Sequence, residues 1–180
     1  MANLRTLFSR ARIIVKTEGY ASLASEFGRF LKTQVLHILS NYEATRDIYY
    51  RLFDPEAYWE RRYSTGGSAG PGSTGQHAQF KANFINTFVE NRDVETVIEF
   101  GCGDGDQISL GNYPEYIGLE VSKSAVERCA KRFDDDPTKS FFLYSPQHFI
   151  NRGAFTADLA LSLEVIFHIL SDDEYEAIHL

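Results

Sequence analysis

The sequence predicts an α/β fold built on a parallel sheet, with a helical N-terminal extension. Three observations carry this. Four short apolar, β-prone runs follow one another after residue 94, ETVIEF (95–100), YIGLEV (116–121), SFFLYS (140–145) and ADLALSLEV (157–165). A helix-patterned stretch, KSAVERCAKRF, separates the second run from the third, and a glycine-rich turn follows the first. Runs that are nearly continuously hydrophobic and alternate with helices indicate strands covered on both faces of a parallel sheet.

Over residues 3–40, Leu4, Leu7, Phe8 and Ala11, then Leu23, Phe27, Phe30, Leu31 and Val35, recur at helical spacing, with Gly19 and Tyr20 as the break. A further helix, from about Ala44 to Phe53, must stop at Asp54-Pro55, and Pro55 opens the next one, PEAYWERRY. Residues 64–75, STGGSAGPGSTG, hold five of the thirteen glycines, which predicts a loop of the kind that closes over sites. Ser73 or Thr74 then caps a helix over 76–91, whose buried face is expected to carry Phe80, Phe84, Ile85 and Phe88. In KSAVERCAKRF, Ala125, Cys129 and Phe133 lie four apart, on one face.

Composition narrows the function classes. Of 180 residues, 43% are apolar and 24% charged, as in a globular chain, and no apolar run reaches the length of a membrane span. MANLRTLFSR lacks a secretory core, and two cysteines, Cys102 and Cys129, suffice for neither a disulfide scaffold nor a zinc ribbon, so a reducing cytoplasm is expected and no metal site. The net charge of −7 divides unevenly. Residues 1–51 carry eight Lys/Arg against four Asp/Glu, giving +4, and residues 52–180 carry ten against twenty-one, giving −11. An acidic body argues against nucleic acid as a partner. The basic start leaves contact with an anionic membrane surface through residues 1–40 open, against the plainer reading of a solvated helix face.

The chemistry concentrates in Glu99-Phe100-Gly101-Cys102-Gly103-Asp104-Gly105, directly after the first strand. Alternate glycines allow a tight turn and close approach of a ligand to the backbone. Glu120 ends the second strand, where a carboxylate can take both hydroxyls of a ribose. A dinucleotide fingerprint would want glycine at 106, and the chain has Asp106, unwelcome beside phosphates. The pattern suits a ligand bearing cations in place of phosphates, against the alternatives of a nicotinamide-dependent oxidoreductase or a bare structural turn. A thiol at a helix start, Cys102, is expected to act as a small space-filler rather than a reactive group.

Together VIEFGCGDGDQ, YIGLEVS and DLALSLEVIFHIL resemble the class I S-adenosylmethionine-dependent methyltransferases, from about Tyr58 onward. The resemblance implies a Rossmann-like sheet and S-adenosylmethionine as cofactor. It implies that Glu99 approaches the methionine amino group, that Gly101, Cys102, Gly103 and Gly105 line the cofactor, that Glu120 holds the ribose, and that Val121 borders the adenine. An acid often follows the third strand in this family; here the stretch is Tyr144-Ser145-Pro146-Gln147, leaving Ser145 or Gln147 as substitutes. After strand four, Glu164 would face cofactor or acceptor, and His168 could serve as general base, with a packed histidine as the plainer reading. His77 and Tyr63 are lid candidates whose plainer reading is the surface.

The expected organisation is a helical extension, 1–53, and a cofactor-binding domain, 54–180, holding only strands 1–4 and therefore C-terminally incomplete. An open fourth strand invites self-association. The implied activity is methyl transfer to an O or N acceptor, a small molecule or saccharide; the rival is a non-catalytic module that binds the cofactor for assembly or regulation.

Overall fold

A computed structural model describes residues 21–35, except 23 and 26, and residues 53–166. The chain divides into two compact units, Met1–Phe53 and Asp54–Leu180. In the first, the described backbone is helical through 21–35. Phe27, Phe30, Leu31 and Val35 are exposed along it; the helical readings over 3–20, 36–40 and from Ala44 lie outside the described residues.

The second unit opens with α1 (Pro55–Ser64), started by Asp54, whose carboxylate accepts from the Ala57 amide at 2.9 Å. Pro55 stands at the first turn, where its missing N–H costs nothing. The glycine-rich loop contains one short helical turn, Pro71–Ser73, and leads into α2 (Gly75–Asn91). Then come β1 (Thr96–Phe100), a turn at Ile108–Leu110, β2 (Glu115–Glu120), α3 (Lys123–Arg132), β3 (Lys139–Leu143) and β4 (Leu159–Leu161). Thr74 occupies the position before α2, although its side chain makes no capping bond. Ser122 does cap α3, accepting from the Ala125 amide at 3.2 Å.

All strands run parallel in the order β3-β2-β1-β4. Register puts Val97, Tyr116 and Leu159 in one row. That face packs on Ile85 and Val89 of α2, with Ile108 and Tyr113 from the crossover and Phe133 stacked on Phe141 at 5.4 Å. Asn86 ties the crossover to α2, donating to Leu110 O at 3.0 Å and accepting from the Asn112 amide at 2.8 Å. The Asp158 carboxylate accepts from the Glu95 and Thr96 amides, at 3.0 and 2.9 Å, and so fixes where β4 meets β1.

Two expectations are corrected. The buried face of α2 is Ala78, Ala82, Ile85 and Val89, while Phe80, Phe84 and Phe88 are exposed, at 73, 69 and 40%. Small residues let the helix lie close to the sheet, and the phenylalanines fall on the far side. The fourth strand pairs over only three residues, and coverage on both faces does not extend to the outer strands: Phe142, Leu143 and Ala160 are exposed.

Candidate functional site

The four parallel strands end on one side, and a cleft opens there, the usual place for a ligand in open parallel sheets. Its floor is the turn after β1, with Glu99, Gly101, Cys102, Gly103, Asp104 and Gln107. The ends of β2 and β3 add Glu120, Val121, Tyr144, Pro146 and Gln147, and the segment after β4 adds Leu163, Glu164 and Val165. The roof is α1 and its loop, through Pro55, Glu56, Trp59, Tyr63, Ala69 and Ser73.

The turn needs its glycines. Gly101 and Gly103 hold φ of 76° and 62°; a Cβ on Gly101 would stand 2.4 Å from Val165 Cγ2, and one on Gly103 2.9 Å from the Tyr63 hydroxyl. The turn directs its N–H groups inward. Gly101 and Cys102 donate to Leu119 O, at 2.7 and 3.2 Å, and Gly103 donates to Glu120 Oε2 at 2.8 Å. Asp106, the residue that breaks the dinucleotide pattern, pairs with Arg132 at 2.7 Å. Amides engaged in this way do not form an anion cradle.

Glu120 is nearly inaccessible, and its other oxygen accepts from the Val121 and Ser122 amides at 2.8 and 2.9 Å. Burial pushes its carboxyl upward, against those amide bonds. A carboxylate offers about four acceptor positions, so one stays open beside these three bonds. Glu99 is also buried. The Tyr116 hydroxyl donates to its Oε2 at 2.6 Å, and burial raises its pKa from 4.5 to about 7, opposed by that bond and by Lys81. Cys102 fills space against Gly118, where a Cβ would meet its sulfur at 2.8 Å; its thiol is pushed well up by the Cys129 contact and by burial, which makes it inert.

Glu164 has a left-handed backbone, φ 63°, unusual for a side chain with a Cβ. Its carboxylate pairs with Lys81 of α2 at 2.9 Å and lies over Gly72, where a Cβ would approach Oε2 to 2.4 Å. Roof, α2 and the segment after β4 therefore meet at one carboxylate. The roof is fastened again at the start of α3. Glu60 accepts from Ser122 Oγ at 2.7 Å, Ser124 Oγ at 2.6 Å and the Ser124 amide at 3.0 Å, which lowers its pKa. Arg128 donates to Gly67 O at 2.8 Å and to Tyr63 O.

Of the residues singled out from sequence, Glu99, Gly101, Cys102, Gly103, Glu120, Val121, Gln147 and Glu164 line the cleft. Gly105 packs against Phe133 and Cys129 instead, and Ser145 adjoins the cleft through its neighbours while its hydroxyl bonds Glu56. Tyr63, read as a surface residue, is 2% exposed and forms part of the roof; His77 is exposed. His168 lies outside the described residues. Sequence reasoning missed Glu56, Glu60 and Lys81, whose partners are 62 to 89 residues away. The one available signal was the acid in the first turn of a Pro-started helix.

No family model matches the chain. A probable thiol methyltransferase of Arabidopsis thaliana is 27% identical over 129 residues, covering 69% of this chain and 53% of the plant protein, so the chain spans about half the length of this curated relative. Among solved structures, the methyltransferase domain of bacterial CtHen1 is 26% identical over 56% of each chain, with a TM-score of 0.49. An amino pentose methyltransferase from Micromonospora echinaspora is 18% identical over 58% of this chain and 45% of its own, with a TM-score of 0.47. With its glycine turn, the acid closing β2 and the β3-β2-β1-β4 sheet, the chain is similar to the class I S-adenosylmethionine-dependent methyltransferases.

Proposed function

We propose that the cleft binds S-adenosylmethionine and presents its methyl group to a small-molecule or saccharide acceptor through oxygen or nitrogen. One observation carries the reading: two buried carboxylates, Glu99 and Glu120, flank a glycine turn whose amides are already engaged. Such a set suits hydroxyls and an ammonium group and is poor for phosphates, which disfavours a nicotinamide dinucleotide.

The bound cofactor supplies an activated methyl on a sulfonium, so the chain's part is placement and exclusion of water. Glu120 would hold the ribose through the acceptor position that its three amide bonds leave open. Glu99 in its ionised form accepts from the ammonium group. Tyr63 of the roof, over Gly103, would shield the cleft from water, and Glu164, held by Lys81, would orient the acceptor. Calorimetric titration with S-adenosylmethionine and S-adenosylhomocysteine tests the reading, followed by a methyl-release assay with O- and N-nucleophile panels. Absence of binding to the folded chain ends it.

A second reading, a module that binds the cofactor without turning it over, draws on the outer side of β4, which among the described residues pairs only with β1. Binding without methyl release would favour it. The same edge supports self-association, which sedimentation velocity measures. For the N-terminal unit, the exposed Phe27, Phe30, Leu31 and Val35 beside Arg29 and Lys32 support contact with an anionic membrane surface, as in interfacial helices. Among the described residues no helix is long and apolar enough to cross a membrane, and no cluster of ligating side chains suits a metal. Two buried free thiols are in keeping with the cytoplasm.

A further inference from the structure

The stretch after β3, Tyr144-Ser145-Pro146-Gln147, contains no acid, yet a carboxylate stands beside it. Glu56, in the first turn of α1, comes 89 residues earlier in the chain and accepts from Ser145 Oγ through its Oε1 at 2.6 Å. Ser145 Oγ also lies 3.2 Å from His148 Nδ1, which can donate to the hydroxyl oxygen while its proton goes to Glu56. The other oxygen of Glu56 accepts no hydrogen bond from the described residues, and Glu56 lines the cleft.

The surroundings define what this carboxylate can meet. The Tyr144 amide donates to Glu120 O at 3.0 Å, which brings the end of β3 against the acid that closes β2. From there the cleft wall continues through Val121, Tyr144 and Pro146, with Pro55 and Trp59 opposite on α1. Apolar and aromatic walls of this kind accept a flat ring. A carboxylate at the rim of such a slot takes a hydrogen bond from an exocyclic amine and repels a carbonyl oxygen at the same position.

We propose that Glu56, positioned by Ser145, reads the exocyclic amino group of the cofactor's adenine, so that the roof helix supplies the acid that the β3 loop lacks. The inference rests on the cofactor reading above and adds base recognition to it. It also makes α1 a specificity element rather than a cover alone.

The test compares two ligands, S-adenosylhomocysteine and S-inosylhomocysteine, whose bases differ by a 6-amino against a 6-oxo group. Their dissociation constants are measured calorimetrically on the full chain. The wild type is expected to prefer the adenine ligand by about tenfold or more, because the 6-oxo base sets an acceptor against the half-buried Glu56 acceptor. Glu56→Ala is expected to bring the two within about threefold. Glu56→Gln, which offers an amide N–H, is expected to move the preference toward the 6-oxo base. Ser145→Ala should narrow the preference less than Glu56→Ala does. The ratio does not depend on the folded fraction, since both ligands sample the same molecules, and Glu56→Gln serves if the alanine variant folds poorly.

A preference that survives in both Glu56 variants overturns the inference and leaves the cofactor reading standing. Equal binding of the two ligands by the wild type does the same. Binding of neither by the folded wild type overturns both. An unchanged ratio in Ser145→Ala removes Ser145 from the positioning role.

Discussion

Glu60 of α1 and Ser124 of α3 are joined twice, through the serine hydroxyl at 2.6 Å and its amide at 3.0 Å, and this pair fastens the roof to the body of the second unit. The same carboxylate takes the Ser122 hydroxyl, so a helix N-terminus that Ser122 already caps gains a carboxylate from another element.

Glu60→Ala is therefore expected to loosen the roof without unfolding the sheet. Bonds to a charged group contribute about 1.5–3 kcal/mol when shielded, and this one is partly exposed, so a local loss on the order of 1 kcal/mol is expected. Limited proteolysis should cut within residues 64–75 several-fold faster, with hydrogen exchange in β1 and β2 unaltered. An unchanged cleavage rate would mean that Arg128 and Glu56 suffice to hold the roof.

Glu99 makes stability depend on pH. Its folded pKa, about 7, exceeds the ordinary 4.5, so the folded state holds the proton more tightly. The contribution is then complete below about pH 4.5 and declines as pH rises through 7. Thermal midpoints should fall between pH 5 and pH 8, and Glu99→Gln should flatten that part of the profile. Glu120 shifts in the same direction, which leaves a residual slope. Affinity for S-adenosylhomocysteine should run the opposite way, strengthening as Glu99 ionises. Parallel pH profiles for wild type and Glu99→Gln would contradict the assignment.

Glu120→Gln keeps the shape of the side chain but trades an ionised acceptor for an amide. Affinity for S-adenosylhomocysteine should drop by roughly 1–3 kcal/mol, about 5- to 150-fold, as hydroxyl partners are lost. Because Glu120 also takes the Gly103, Val121 and Ser122 amides, a lower thermal midpoint should accompany the loss. Calorimetry and thermal melting on one preparation separate the two effects.

Gly72→Ala puts a methyl group on the Glu164 carboxylate, the mobile end of a flexible side chain, so the side chain rather than the roof gives way. The expected outcome is a broken Lys81–Glu164 pair with little change in stability. Methyl transfer should then fall while cofactor affinity stays within about threefold, since surface pairs contribute less than about 1 kcal/mol. An equal loss of cofactor affinity would place Glu164 on the cofactor instead.

Legibility followed sequence distance. The strands, the turn and Glu120 were readable because each declares itself within a few residues: β-prone runs, alternate glycines, an acid at a strand end. The α2 phenylalanines were misassigned because Phe80, Phe84 and Phe88 share a helix face by spacing, and hydrophobicity alone cannot say which face meets the sheet. Ala78 and Ala82 decided it, by allowing close approach. Glu56, Glu60 and Lys81 could not be read at all, because ordinary helix-surface charges become site residues only when distant chain is brought beside them. Glu164 falls between: its position was readable, its left-handed backbone and its Lys81 partner were not.

The cleft has a floor set by the sheet and a roof set by side-chain fastenings, and the two differ in permanence. For a ligand that binds only beneath a seated α1, measured affinity equals the intrinsic value scaled by the fraction of molecules with α1 seated. The coupling works in both directions. A ligand under α1 must slow the opening of residues 64–75 by the same free energy that opening subtracts from its binding. Roof order and ligand affinity are thus one quantity, readable from a protease digest as well as from a calorimeter.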